Sequence, residues 1–307
     1  MNLALIAFAL PVVYWDQGPE ALKQAGIRRI VVPPGTAEGW KGVSGISVQA
    51  ADVATAVKLA TPGVKYRVNE ASASRSPWVD CNGWRVMRQP TARFYYDAPG
   101  AASAVAAAEA FSYGADAMIR TDGAGLGALG RMLEFLGGVK REELPALANI
   151  GFVDDGSPES GEAMALLTRR NLLFKIVGAA DAKLDVTVKL GTKEYAKEEA
   201  ADPSRLAQKI RSKVTDEKRL ARIYGSEVVI GRLAGTRDHA QLQLINYAAG
   251  ARAVEGVRVR VLGEYGRHEE TLSGLPEAKL LEYKAAAGAT EFTVRELREY
   301  ALIDLRK

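Results

Sequence analysis

The chain has 307 residues, of which 48% are hydrophobic and 25% charged, enough apolar material for one large domain and a small one. Its net charge of +4 comes from basic residues interleaved with acids, which argues against a nucleic-acid partner. Cys81 is the only cysteine, so neither an intramolecular disulfide nor a thiolate metal cluster is available. The two histidines, His239 and His268, both fall late in the sequence, which disfavours a Ser-His-Asp or Cys-His arrangement, and no metal or other cofactor is expected.

Met1 to Leu10 are nearly all apolar but lack the positive flank of a secretory signal. They read either as the remnant of a signal peptide, which predicts export to the periplasm or medium, or as a buried first strand of a cytoplasmic protein. No other run is long enough to span a bilayer, so no stable membrane insertion is expected.

Eight short apolar runs follow: Val12–Trp15, Arg29–Val32, Gly45–Val48, Val64–Val68, Arg93–Tyr96, Ala117–Arg120, Ile150–Val153 and Leu172–Val177. Helical stretches separate several of them. Pro19 to Ala25 stops at Gly26, Ala51–Ala60 at Pro62-Gly63, Ala101–Tyr113 at Gly114, and Gly127–Leu136 at Gly137-Gly138, while Ser157–Arg170 opens on a Ser-Pro start. A last helix is expected over Asp202–Tyr224. Alternation of this kind predicts parallel strands with crossover helices, and eight units make a (β/α)8 TIM-like barrel over residues 1–225. From residue 226 the pattern changes to seven short alternating strands, as in Val257-Arg258-Val259-Arg260-Val261, which predicts a small antiparallel β-sandwich over 226–307.

In a barrel the chemistry sits at the strand C-termini, and those ends carry Asp16, Asn69-Glu70, Asp97, Asp122 and Asp154-Asp155. Carboxylates without histidine suit sugar chemistry, because cleaving a glycosidic bond needs one carboxyl to protonate the leaving oxygen and a second as nucleophile or base. Aromatic and polar residues expected at the same mouth, Trp15, Tyr96, and Trp78, Trp84 and Arg85 of the long loop Ser72–Pro90, would bind a carbohydrate ligand. The glycine-rich Gly123–Gly130 lacks the Lys-Ser/Thr ending of a phosphate loop and reads as a packing segment.

With Asn69-Glu70 after the fourth run and Asp154-Asp155 after the seventh, the sequence resembles the TIM-barrel glycoside hydrolases. In their large retaining clan an Asn-Glu acid/base ends strand four and a glutamate nucleophile ends strand seven. The resemblance implies that Asn69 holds a sugar hydroxyl, that Glu70 is the general acid/base, and that Asp154 or Asp155 replaces the nucleophile, one methylene shorter. A second resemblance is to α-galactosidase-like barrels, whose carboxylates follow strands four and six and whose C-terminal domain is a β-sandwich; it makes Asp122 the partner. The alternative is a degenerate barrel that binds glycans or serves a structural role. Oligomeric state is open at this point.

Overall fold

The computed structural model describes residues 10–66, 77–201, 203–250 and 252–307. The first part of the chain contains β1 (Val12–Tyr14), α1 (Glu20–Gln24), β2 (Arg29–Val32), β3 (Ser47–Ala50), β4 (Val57–Leu59), β5 (Gly63–Tyr66) and β6 (Pro77–Asp80). It continues through α2 (Gly83–Arg88), β7 (Arg93–Asp97), α3 (Ala102–Tyr113), β8 (Asp116–Arg120) and α4 (Gly123–Gly138).

Six of these strands form one parallel sheet in the order β3-β2-β1-β8-β7-β4. From β1 the order runs up to β3 on one side and down from β8 to β4 on the other, which is the order of a barrel cut between β3 and β4. Helices α1, α3 and α4 all pack on one face, against Val13, Ile30, Val32, Phe94, Tyr96 and Ile119. One-sided winding is a barrel trait; a doubly wound open sheet carries helices on both faces. Among the described residues, however, no pairing joins β3 to β4, so the sheet is open there.

The expected eight-stranded closure is corrected in two further respects. β8 pairs directly with β1, through Met118 beside Val12 and Ile119 beside Val13, which fills the place that a seventh and eighth strand would occupy. The seventh and eighth runs lie instead in a separate parallel sheet. There β9 (Ile150–Phe152) is flanked by β10 (Phe174–Ile176) and β11 (Val186–Val188), with α5 (Pro158–Arg169) and α6 (Pro203–Val214) in its apolar cluster. The fourth run is displaced as well. Gly63–Tyr66 pairs antiparallel with Pro77–Asp80, and the fourth parallel strand is Val57–Leu59, inside the segment expected to be helical. Parallel pairing with β7 holds Val57–Leu59 extended although the alanine-rich stretch around it favours a helix.

Helix signals fared better. Ser157 caps α5 by accepting from Ser160 N, with Pro158 in the first turn, and Gly114 ends α3 in the left-handed conformation at φ 67°. In the glycine-rich segment Gly130 lets α4 approach α1 closely, since a Cβ there would lie 2.0 Å from the Ala25 carbonyl oxygen.

The rest of the chain is antiparallel: β12 (Ala221–Tyr224), β13 (Val229–Gly235), β14 (His239–Asn246), β15 (Val254–Leu262), β16 (Arg267–Leu272), β17 (Leu280–Ala286), β18 (Ala289–Leu297) and β19 (Tyr300–Arg306). Two four-stranded sheets, β12-β15-β18-β17 and β13-β14-β19-β16, share one apolar cluster that includes Val257, Val259, Val261, Leu242, Leu244, Phe292 and Ile303. Antiparallel pairing starts at Ala221, opposite Val261, because the helix expected over 202–224 ends at Val214. The other face of β13-β14-β19-β16 packs on the α/β part: Ile230, Ile245, Tyr300 and Leu302 join the cluster that holds Phe111 of α3.

Candidate functional site

Along β1, β8 and β7 the two-residue period puts Tyr14, Met118 and Tyr95 on the sheet face turned away from the helices, where they cluster with Val31. Continuing that period places Asp16, Arg120 and Asp97 on the same face at the C-terminal edge, the edge where parallel sheets take their ligands. Arg120 stands in register between Tyr14 and Asp97. Its Nη2 lies 3.6 Å from Asp16 Oδ2, and both side chains are well exposed. The guanidinium also donates to the Tyr95 hydroxyl, and this bond together with Asp16 raises the Arg120 pKa. The rings of Tyr14 and Tyr95 meet edge to face, 5.9 Å apart, two positions along their strands from Asp16 and Asp97 and so directly beneath the rim. Strand spacing sets the backbones of positions 14 and 97 roughly 10 Å apart. The rim thus carries two exposed carboxylates on either side of one planar cation, a set that accepts from hydroxyls and donates to ring or hydroxyl oxygens.

The residues expected to carry catalysis are placed differently. Asp122 is the N-cap of α4: its Oδ1 accepts from Gly125 N at 2.8 Å and from Gly100 N at 3.0 Å, and these amides lower its pKa. Asp155 accepts from the Ser157 hydroxyl at 2.5 Å, the Ser160 hydroxyl at 2.7 Å and Ser157 N at 3.0 Å, which holds its carboxyl below the usual range. Asp154 is paired in a bidentate fork with Arg88, at 2.6 and 2.8 Å, and accepts from Gly156 N. Asp122 follows a strand of the six-stranded sheet, whereas Asp154 and Asp155 follow one of the three-stranded sheet. Asn69 and Glu70 lie outside the described residues.

Of the expected aromatic contacts, Trp15 is buried on the helix-covered face with its indole donating to Gly18 O, and Tyr96 is buried with its hydroxyl on Glu109. Trp84 is buried too, with Arg85 and Arg88 over its ring. Trp15 and Tyr96 face the core because odd and even positions of a strand point to opposite faces and the helix-covered face takes the larger apolar load, whereas Trp84 is in α2 and packs into the cluster of the three-stranded sheet. Trp78 is covered by Arg169, 3.8 Å from the ring centre. Asp16 and Asp97 remain at the rim as expected, joined by Tyr14, Tyr95 and Arg120. Their signal in the sequence is the alternation itself: residues two apart from Asp16 and Asp97 share their face.

One further cluster was not apparent in sequence. Glu142, His239 and Asp304 bring potential metal-ligand atoms within 4.8 Å of one another. Arg306 already bridges the two carboxylates, at 2.6 and 2.9 Å, and Gln241 donates to Asp304, so the cluster is neutralised by protein donors.

Comparison with known proteins places this geometry in a wider fold. No family model matches the sequence, and no curated protein matches it. Among solved structures it is similar to an α-L-fucosidase isoenzyme 2 from Paenibacillus thiaminolyticus. The TM-score is 0.56 at 10% identity, covering 85% of this chain and 68% of that one. At that identity the likeness is one of fold alone. Weaker likenesses are to an exo-carrageenase of family GH42 from Bacteroides ovatus (TM-score 0.39, 8% identity, 91% of this chain and 52% of that) and to a GH42 β-galactosidase from G. stearothermophilus (0.40, 6%, 89% and 65%). The chain therefore spans between half and about two thirds of the length of these structures. Its architecture is mixed α/β, with parallel and antiparallel sheets, and no described helix is long and apolar enough to cross a membrane.

Proposed function

We propose that the chain binds carbohydrate at the rim formed by Tyr14, Asp16, Tyr95, Asp97 and Arg120, and that its described carboxylates do not hydrolyse the bound sugar. The observation that carries this reading is the contrast at the strand ends. The rim acids sit exposed around one arginine, while Asp154 has both oxygens on Arg88, and Asp122 and Asp155 each have one oxygen taken by amides or hydroxyls at a helix start. A glycosidase needs a carboxyl that keeps its proton near neutral pH to protonate the leaving oxygen. Asp122 and Asp155 are shifted the opposite way. In this proposal the chain is an incomplete TIM-like barrel carrying a C-terminal β-sandwich from about residue 226, and its ligand is an external glycan reached by export.

The hydrolase reading depends on Glu70, and two assays separate it from the binding one. In calorimetric titrations against a panel of oligosaccharides, Arg120→Ala should weaken the wild-type interaction at least about tenfold while leaving the circular dichroism spectrum unchanged. Equal binding by the variant, or no sugar bound by the wild type, overturns the site. Turnover of aryl glycosides that Glu70→Gln abolishes would replace the binding reading with hydrolysis.

A further inference from the structure

The rim carries one more acid than its strand ends supply. After β3 the chain makes a single 3-10 turn, Val53–Thr55, and Val53 packs with Ala51 and Ala56 on the cluster of Tyr14, Val31, Tyr95 and Met118. The turn therefore folds over the helix-free face and brings Asp52 towards the rim. Asp52 caps the turn, with Oδ1 accepting from Ala54 N at 2.8 Å, and is exposed. Its Oδ2 accepts no hydrogen bond among the described residues.

Asp16 is engaged on one side only, since Arg120 approaches its Oδ2 and no described residue donates to its Oδ1. Tyr14 is the neighbour that the two acids share. Its ring is only 8% exposed, packed among Tyr95, Met118 and Val31. The hydroxyl makes no hydrogen bond among the described residues, although a tyrosine with a buried ring usually finds a partner. Burial first, then Asp16 and Asp52, hold its pKa above the usual value, so it stays a neutral group able to donate or accept.

Charge on this face is unbalanced in the same sense. Its cations near the rim are Arg120 and Lys58, the latter in register with Tyr95, against the carboxylates of Asp16, Asp52 and Asp97. Among the described residues neither Asp52 nor Asp97 forms an ion pair, and Arg120 pairs with Asp16 alone.

We propose that the rim selects sugars bearing a protonated amine, with the ammonium seated over Tyr14, where Asp16 Oδ1, Asp52 Oδ2 and the Tyr14 hydroxyl accept its N–H bonds. This rests on the carbohydrate reading of the rim and names the ligand class within it. An ammonium has three donors and no acceptor, which suits three open acceptors of which two are charged. A neutral hydroxyl offers one donor, and an acetylated amine has lost the charge and two of its three donors. The chain as a whole has a net charge of +4 and does not attract a polycation, so any preference for the amine arises locally.

The probes are three oligosaccharides of equal length, a glucosamine oligomer, its fully N-acetylated form and a cello-oligosaccharide, titrated calorimetrically into the full chain in mildly acidic buffer that keeps the amines protonated. The glucosamine oligomer should bind at least about tenfold more tightly than the other two, with an advantage that shrinks as sodium chloride is raised. Asp52→Asn, which retains a capping side chain, should remove most of that advantage, and Tyr14→Phe should lower glucosamine binding by roughly fivefold. Equal affinity for all three, weakened alike by Arg120→Ala, overturns the amine preference and leaves the rim as a neutral-sugar site. A preference that survives both Asp52→Asn and Tyr14→Phe overturns the seat assigned to the ammonium, and a glucosamine oligomer that does not bind overturns the proposal outright.

Discussion

Two charged side chains meet α3 where the antiparallel sheets pack on it, one sealed from water and one not. Glu109 of α3 is fully buried and accepts four bonds: from Asn82 N at 2.5 Å, Asn82 Nδ2 at 3.0 Å, the Tyr96 hydroxyl at 3.1 Å and the Tyr247 hydroxyl at 2.6 Å. Tyr247 follows β14, so one carboxylate joins α2, β7, α3 and the antiparallel part. One turn along the same helix, the partly exposed guanidinium of Arg232 lies 5.6 Å from the centre of the Tyr113 ring. A charge removed from water is tolerated when its lone pairs or protons are filled and is costly when they are not. The first junction is sealed and completed by donors of the chain; the second keeps its charge partly in water.

The largest effect should come from breaking the complete cluster. Glu109→Ala removes the acceptor of four buried donors and should destabilise the protein by about 3–5 kcal/mol, read from urea unfolding. Glu109→Gln keeps the shape and should cost much less, because its remaining carbonyl oxygen can still accept from Asn82 N and the Tyr247 hydroxyl. The pair also tests the charge. Burial raises the Glu109 pKa and the four donors only partly oppose it, so the folded state holds the proton more tightly than the unfolded chain. Stability should therefore fall as pH rises from the ordinary carboxylate range to the folded pKa and then level off, and Glu109→Gln should flatten that component. A wild-type profile that instead rises over this range would mean that the hydrogen bonds outweigh desolvation.

Tyr247→Phe should cost less, about 1–2 kcal/mol, since it deletes one donor and leaves three. Its value lies in location. Tyr247 is the only donor in the cluster supplied by the antiparallel part, so the variant should loosen the junction before it unfolds either sheet system, visible as faster amide exchange in α3 with unchanged exchange in β15 and β18. Uniform acceleration across β15 and β18 would mean that the junction and the antiparallel core unfold as one unit.

How far each cluster was legible in sequence follows from the same physics. The antiparallel strands from Val229 to Arg306 were all visible, because they either alternate with a two-residue period, as in Val257–Val261, or form short apolar runs between turns, as in β13 and β19, which are buried on both faces. Strands of the parallel part read less well. Val57–Leu59 is three residues long and sits in an alanine-rich stretch whose propensity is helical, and tertiary pairing with β7 overrides that propensity. Nor does a strand pattern say which sheet a strand joins: Ile150–Phe152 and Phe174–Ile176 look like barrel strands, yet β8 has already taken the place beside β1. The acids at the strand ends show the limit most clearly. Asp16 and Asp97 reach the rim, while Asp122 caps α4 and Asp155 accepts from the serines that open α5, and a strand followed by an aspartate and a helix start is the same sequence signal in both cases. Glu109 was hidden for another reason, since a single acid in an alanine-rich helix gives no hint that three other segments will bring donors to it.

The smallest expected effect is also the one that separates the two junctions most directly. Arg232→Met replaces a partly exposed charge by an apolar chain of similar length beside Leu147 and Phe174. The variant should lie within about 1 kcal/mol of the wild type in urea unfolding, because the guanidinium is only partly withdrawn from water and its removal leaves no buried acceptor unpaired. That outcome has the opposite character to Glu109→Ala, although both remove a charged side chain from the same interface. A loss as large as that of Glu109→Ala would mean that the contact of Arg232 with the Tyr113 ring holds the junction as firmly as the carboxylate does, and the two junctions would be alike.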